Sequence, residues 1–75
     1  MTLDDLRSGE TGRVKTIAAT GALLQRLMQF GILEGTEMQL VRRAPTGDPI
    51  EYRLMGYSLS LRREEAKQIE IETRA

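Results

Sequence analysis

The chain contains no cysteine, no histidine and no tryptophan. Without cysteine, no disulfide can staple the fold and no thiolate can bind a metal. Without histidine, the usual general base and the commonest transition-metal ligand are gone. No Gly-x-x-x-x-Gly-Lys phosphate loop is present. Ser8, Ser58 and Ser60 have no histidine to activate them, and the pair Glu64-Glu65 beside Arg62-Arg63 reads as a solvated helical turn. No catalytic residue is therefore assigned, and the protein is not expected to be an enzyme. Neither sign of charge is in excess, with 11 acidic and 11 basic residues. That balance gives no reason to expect a nucleic-acid binder. One phenylalanine and two tyrosines are too few for a base-stacking platform, and Phe30, Tyr52 and Tyr57 fit core or half-core positions. No apolar run approaches the roughly 20 residues that cross a bilayer. Met1 to Gly9, with its acids and only two leucines, is neither a secretory nor a transit leader. The expectation is a cytoplasmic protein that does not insert into a membrane itself.

What is present fits one small domain over the 75 residues. Thr2 is placed to cap a short helical turn with Asp4 and Asp5 in it; Leu3 and Leu6 share one face of it. Ser8 to Gly12 reads as a turn. Arg13 to Ala18 reads as a strand with Val14, Thr16 and Ala18 on one face, and Ile17 on the other suggests a bulge or an early end near 16–18. Thr20 can cap a helix whose Leu23, Leu24, Leu27 and Met28 form one broad apolar face. Gly31 suits the left-handed position that ends it, with Ile32 folding back onto Leu27. Gly35 calls for a positive φ. Thr36 to Arg43 alternates as a strand, and both prolines fall in the dense turn Ala44-Pro45-Thr46-Gly47-Asp48-Pro49. Ile50 to Leu54 and Tyr57 to Leu61 alternate on either side of Gly56. Arg62 to Gln68 reads as a helical turn around Ala66, Ile69 and Ile71 mark a last strand, and Thr73-Arg74-Ala75 is expected to fray. This is a mostly β pattern of about five short strands and one helix, which in so small a chain must curl into a small barrel around one core.

The order of these pieces resembles the FeoA family. The residues that carry the resemblance are Leu3 to Gly9, the run Arg26-Leu27 to Phe30-Gly31-Ile32 and Gly35-Thr36, Ala44 to Ile50, Leu59 to Ala66, and Ile69-Glu70-Ile71-Glu72. The resemblance implies an SH3-like β-barrel with an inserted helix. It also implies a role beside FeoB, the membrane ferrous iron permease with a cytoplasmic G-protein domain. The same fold occurs as the C-terminal domain of iron-dependent repressors, so a regulatory domain acting on such a repressor is the alternative. With no DNA-binding module in these 75 residues, the transport accessory is the expectation.

Iron handling invites a search for ligands. Only carboxylates and methionine are available. Asp4-Asp5 and Glu70/Glu72 look like ordinary surface pairs, and Met28, Met38 and Met55 fall at apolar positions that suit core filler. No metal site and no cofactor are expected. Arg42, Arg43, Arg53, Arg62 and Arg63 could gather on one side, but read as solvated charge and local ion pairs. The helix has more apolar side chains than a tiny core needs, and Leu24 and Met28 are the ones expected to stay exposed as a docking patch. Arg26, within the family-like motif, and Thr46 and Asp48, in the polar turn, complete the set of expected partner contacts. An exposed barrel edge or the helix patch could also support a homo-oligomer.

Overall fold

Thr11–Ile17 (β1) is the strand on which the sheet is built. In the computed structural model, which describes residues 1–73, it pairs antiparallel with Glu37–Arg43 (β2) on one side and with Ile69–Thr73 (β5) on the other. Ile50–Leu54 (β3) and Tyr57–Leu61 (β4) extend the sheet beyond β2, giving the order β4-β3-β2-β1-β5. A helix, Gly21–Gln29 (α1), is inserted between β1 and β2, and a short one, Arg63–Ala66 (α2), joins β4 to β5. Leu61 from one edge strand and Ile69 and Ile71 from the other belong to the same buried cluster, so the sheet curls around a single core. The mostly β architecture with one inserted helix is as expected.

The core is apolar and its members come from every strand and both helices. Leu3 and Leu6 enter it from a 3-10 turn over Leu3–Asp5, where the Thr2 N–H donates to Asp5 Oδ2 at 2.7 Å. The buried Tyr52 hydroxyl is satisfied by donating to the Leu3 carbonyl at 2.9 Å; burial raises its pKa. Removing such a partner would strand a polar group in an apolar interior.

Two expectations about β1 need correction. The strand begins at Thr11, so Gly12 lies inside it and not in a turn. A Cβ at Gly12 would overlap the Ile71 Cδ1, so glycine there permits close approach of β5. Thr16 and Ala18 are exposed and do not share the face of buried Val14. A bulge between Val14 and Thr16 in the β5 pairing shifts the phase by one residue, which turns Ile17 half inward. A second register shift lies between Leu40 and Arg42 in the β2–β3 pairing. Thr73, expected to fray, pairs with Gly12; Arg74 and Ala75 lie outside the described residues.

Candidate partner-binding surface

The apolar face of α1 is divided by the core. Leu27 is fully buried, Leu23, Leu24 and Phe30 are packed partly against the cluster, and Met28 remains half exposed. The helix ends as the glycine demands: Gly31 has φ +86°, the Ile32 N–H donates to the Leu27 carbonyl at 3.0 Å, and the Gly31 N–H to that of Met28 at 2.9 Å. This is the paired cap in which a left-handed residue closes the last turn. The next residues are fixed by Thr36, whose hydroxyl donates to the Gly31 carbonyl and accepts the Leu33 N–H, each at 3.1 Å. The Gly35 N–H then donates to the Val14 carbonyl at 2.8 Å, tying the loop to β1. Leu33 is thus held outward by a hydrogen-bonded loop.

Ile17, Leu24, Met28, Leu33 and Glu34 line a groove of about 320 Å³ beside α1. At the other flank of the helix end, the two-residue turn Met55-Gly56 has positive φ at both residues, +46° and +82°. It sets the Met55 methyl against Gly31, where a Cβ would collide with it, and brings the Tyr57 hydroxyl near the same point. Around the C-terminal end of α1, Met28 is 50%, Leu33 47%, Met55 68% and Tyr57 40% exposed. Met38 is core as expected and Met28 is exposed as expected of the docking patch, so that Met28, like Met55, is not core filler, and Tyr57 is not a half-core residue. Leu24, expected to be exposed, is half-buried as a groove wall. Leu33 is missed by the sequence reading and Met55 lies outside the core position expected of it; the available signal was their place in tight turns, where a side chain has no core to enter.

The remaining expected contacts lie on the other side of α1. The Arg26 guanidinium is paired with the Glu65 carboxylate of α2, and both line a groove of about 400 Å³ with Phe30, Pro49, Leu61 and Arg62. Asp48 Oδ1 accepts the Arg63 N–H at 3.0 Å, satisfying an amide of the first turn of α2. The exposed Thr46 hydroxyl donates to the Asp48 carbonyl at 3.0 Å. Arg26 and the turn are therefore joined through Pro49, whereas Leu24 and Met28 form a separate apolar surface.

The arginines do not make one basic face. Arg42 pairs with Glu51 at 2.9 Å, while Arg43 and Arg63 converge on Asp4 at 3.0 and 3.3 Å. Asp4 is consequently no ordinary surface acid: its side chain is 10% exposed. Burial alone would push its carboxyl up, but hydrogen bonds and charge from Arg43 and Arg63 outweigh this and hold it below the usual value. Among the described residues, no three acidic side chains gather to hold a metal ion, and no helix is long and apolar enough to cross a membrane.

A five-stranded antiparallel sheet curled around one core, with a helix inserted between β1 and β2, defines a small mostly-β domain. A sequence model of the FeoA domain matches residues 1–73, and the chain belongs to the FeoA domain family. It is 36% identical over 72 residues, 96% of its length, to the Fe(2+) transport protein A/Fe(2+) transporter FeoB fusion protein of Porphyromonas gingivalis, of which it spans 8%. Its fold matches the solution structure of FeoA protein from Chlorobium tepidum with a TM-score of 0.93 and 39% identity, covering 100% of this chain and 71% of that one. The zinc complex of Stenotrophomonas maltophilia FeoA, described as a procaryotic SH3 domain protein, matches with a TM-score of 0.84 and 28% identity over 96% of this chain and 89% of that one. The fold is accordingly of the SH3-like FeoA type.

Proposed function

We propose that this protein is a non-enzymatic accessory of bacterial ferrous iron transport that works in the cytoplasm by binding the cytoplasmic part of a FeoB-type permease. The observation that carries this reading is the Porphyromonas gingivalis relative, in which an FeoA-like segment and a FeoB transporter are named as one fusion protein. Joining two modules in one chain raises their effective concentration for each other, an arrangement suited to partners that also meet as separate chains. The exposed Met28 and Leu33 at the groove beside α1 supply apolar anchors of the kind that interface centres use. In this reading Leu24 and Met28 form the contact centre, and Arg26, Thr46 and Asp48 form a second, polar contact on the other side of α1.

Such a module changes transport only if it binds one conformation of the permease more tightly than another. The test is capture of the purified cytoplasmic G-protein domain of the FeoB from the same genome, together with ferrous iron uptake in a strain lacking this gene. Met28→Asp with Leu33→Asp, both at half-exposed positions, should abolish capture while the circular dichroism spectrum stays unchanged. A folded double variant that binds and restores uptake like the parent would remove the α1 groove as the contact.

A further inference from the structure

The two edges of the sheet are treated differently. β5 carries Glu70 and Glu72, its pairing with β1 is interrupted by a bulge, and the N-terminus lies along its outer side. There the Ile71 N–H donates to the Met1 carbonyl at 2.9 Å, and Thr2 bridges to Glu70. Charge, bulges and covering chain are what keep an edge from recruiting another strand. β4 has neither charge nor bulge, and although Arg26 and Phe30 of α1 share a groove with Ser60 and Leu61, among the described residues no backbone hydrogen bond ties another segment to its outer edge. Tyr57-Ser58-Leu59-Ser60-Leu61 contains no charge and no proline, and pairs with β3 without a register shift. Among the described residues no strand lies on its other side.

The tight Met55-Gly56 turn makes Leu54 and Tyr57 the hydrogen-bonded pair that closes the hairpin. The ladder to β3 then runs through residues 57, 59 and 61. The backbone N–H and C=O groups of Ser58 and Ser60 point away from β3, toward the open edge. The strand is also symmetric about Leu59, with apolar residues at 57, 59 and 61 and serine at 58 and 60.

We infer that β4 is a homodimerisation edge, pairing antiparallel with β4 of a second copy about a twofold axis at Leu59. In that register each Ser58 exchanges both backbone hydrogen bonds with Ser60 of the partner subunit. Tyr57 meets Leu61 and Leu59 meets its own copy on the core side, while the serines pair on the exposed face. That face continues within each subunit from Ser58 to Arg53 and from Ser60 to Glu51. Each row of side chains across the joined sheets thus begins with an arginine and ends with a glutamate, and no like charges are opposed. This self-complementarity is why the occupant is a second copy and not an unrelated extended peptide.

A five-residue edge is a small interface, so sedimentation equilibrium is run up to about 1 mM protein. The parent should shift toward dimer with concentration. S58K/S60K opposes like charges in both symmetric pairs and should weaken dimerisation by about tenfold or more. S58E/S60K opposes unlike charges and should retain it. All these substitutions fall at exposed positions, and circular dichroism checks that each variant is folded. A parent that stays monomeric throughout, or two double variants that dimerise alike, would overturn the assignment.

Discussion

Replacing Asp4 by asparagine should remove the charge that draws three parts of the chain together. Asp4 sits in the 3-10 turn, Arg43 at the end of β2 and Arg63 at the start of α2. The Arg43 guanidinium, 29% exposed, also donates to the Asp4 and Leu6 carbonyls, so it is fixed in place. A hydrogen bond to a charged group in such a site contributes about 1.5–3 kcal/mol. The Arg63 contact is half exposed, and screening holds a pair of that kind to about 0–1 kcal/mol. Asparagine keeps an oxygen that accepts one hydrogen bond, so the expected loss is about 2 kcal/mol. In a domain of this size that lowers the melting temperature by about 8–16 °C.

The pH dependence separates charge from packing. The Asp4 carboxyl lies below its ordinary value of 3.8 in the folded protein. A group depressed in this way stabilises the fold fully above its unfolded value, and the contribution disappears as pH falls through the folded one. Thermal melts of parent and Asp4→Asn should therefore differ most near neutrality and converge as the pH drops below about 4. A gap of the same size in strong acid would show that the substitution acts through packing. No gap at neutral pH would refute the ion-pair account altogether.

The other expectations concern backbone, core and surface. Gly31→Ala places a Cβ at φ +86° against the Met55 methyl; it should cost about 1–2 kcal/mol in urea unfolding, with Gly31→Asn milder because asparagine tolerates the left-handed region. Tyr52→Phe removes the buried hydroxyl that donates to the Leu3 carbonyl, which keeps only the Leu6 N–H at 3.3 Å, and should lower stability by about 0.5–1.5 kcal/mol with an unchanged denaturant slope. Met28→Asp with Leu33→Asp, in contrast, alters side chains about half exposed and should move stability by no more than about 0.5 kcal/mol per site, which makes it usable in the binding assay.

Features set by local geometry were readable in the sequence. The stop at Gly31 followed from a glycine after an apolar helix face, and the alternation of Ile50, Tyr52 and Leu54 placed all three in the core. What escaped depends on partners distant in the chain. Asp4 looked like a surface acid because Arg43 and Arg63 stand 39 and 59 residues away. Gly12 looked like a turn because the approach of Ile71 comes from the opposite end of the sequence. The phase of β1 was ambiguous for a related reason: a bulge is defined by the partner strand, and β5 is the last element to form the sheet in chain order. Met55 fits the apolar alternation of its neighbours, yet the turn carries it beyond the end of the ladder.

The candidate surface divides by the same logic. Residues on the polar side of α1 already have internal partners: Arg26 holds Glu65, and Asp48 holds the first turn of α2. A partner that recruited them would have to break or share those contacts, and truncating them loosens α2 as well as any interface. Their effect on binding is therefore entangled with their effect on stability. Met28 and Leu33 carry no such obligation. Their backbone is held by the Gly31 cap and the Thr36 hydroxyl while the side chains face solvent. Anchors pre-positioned in this way lose little conformational freedom on binding. If the proposed contact is right, the apolar side is thus where a substitution reads out binding with little change in stability, and the polar side is where it also reads out the fold.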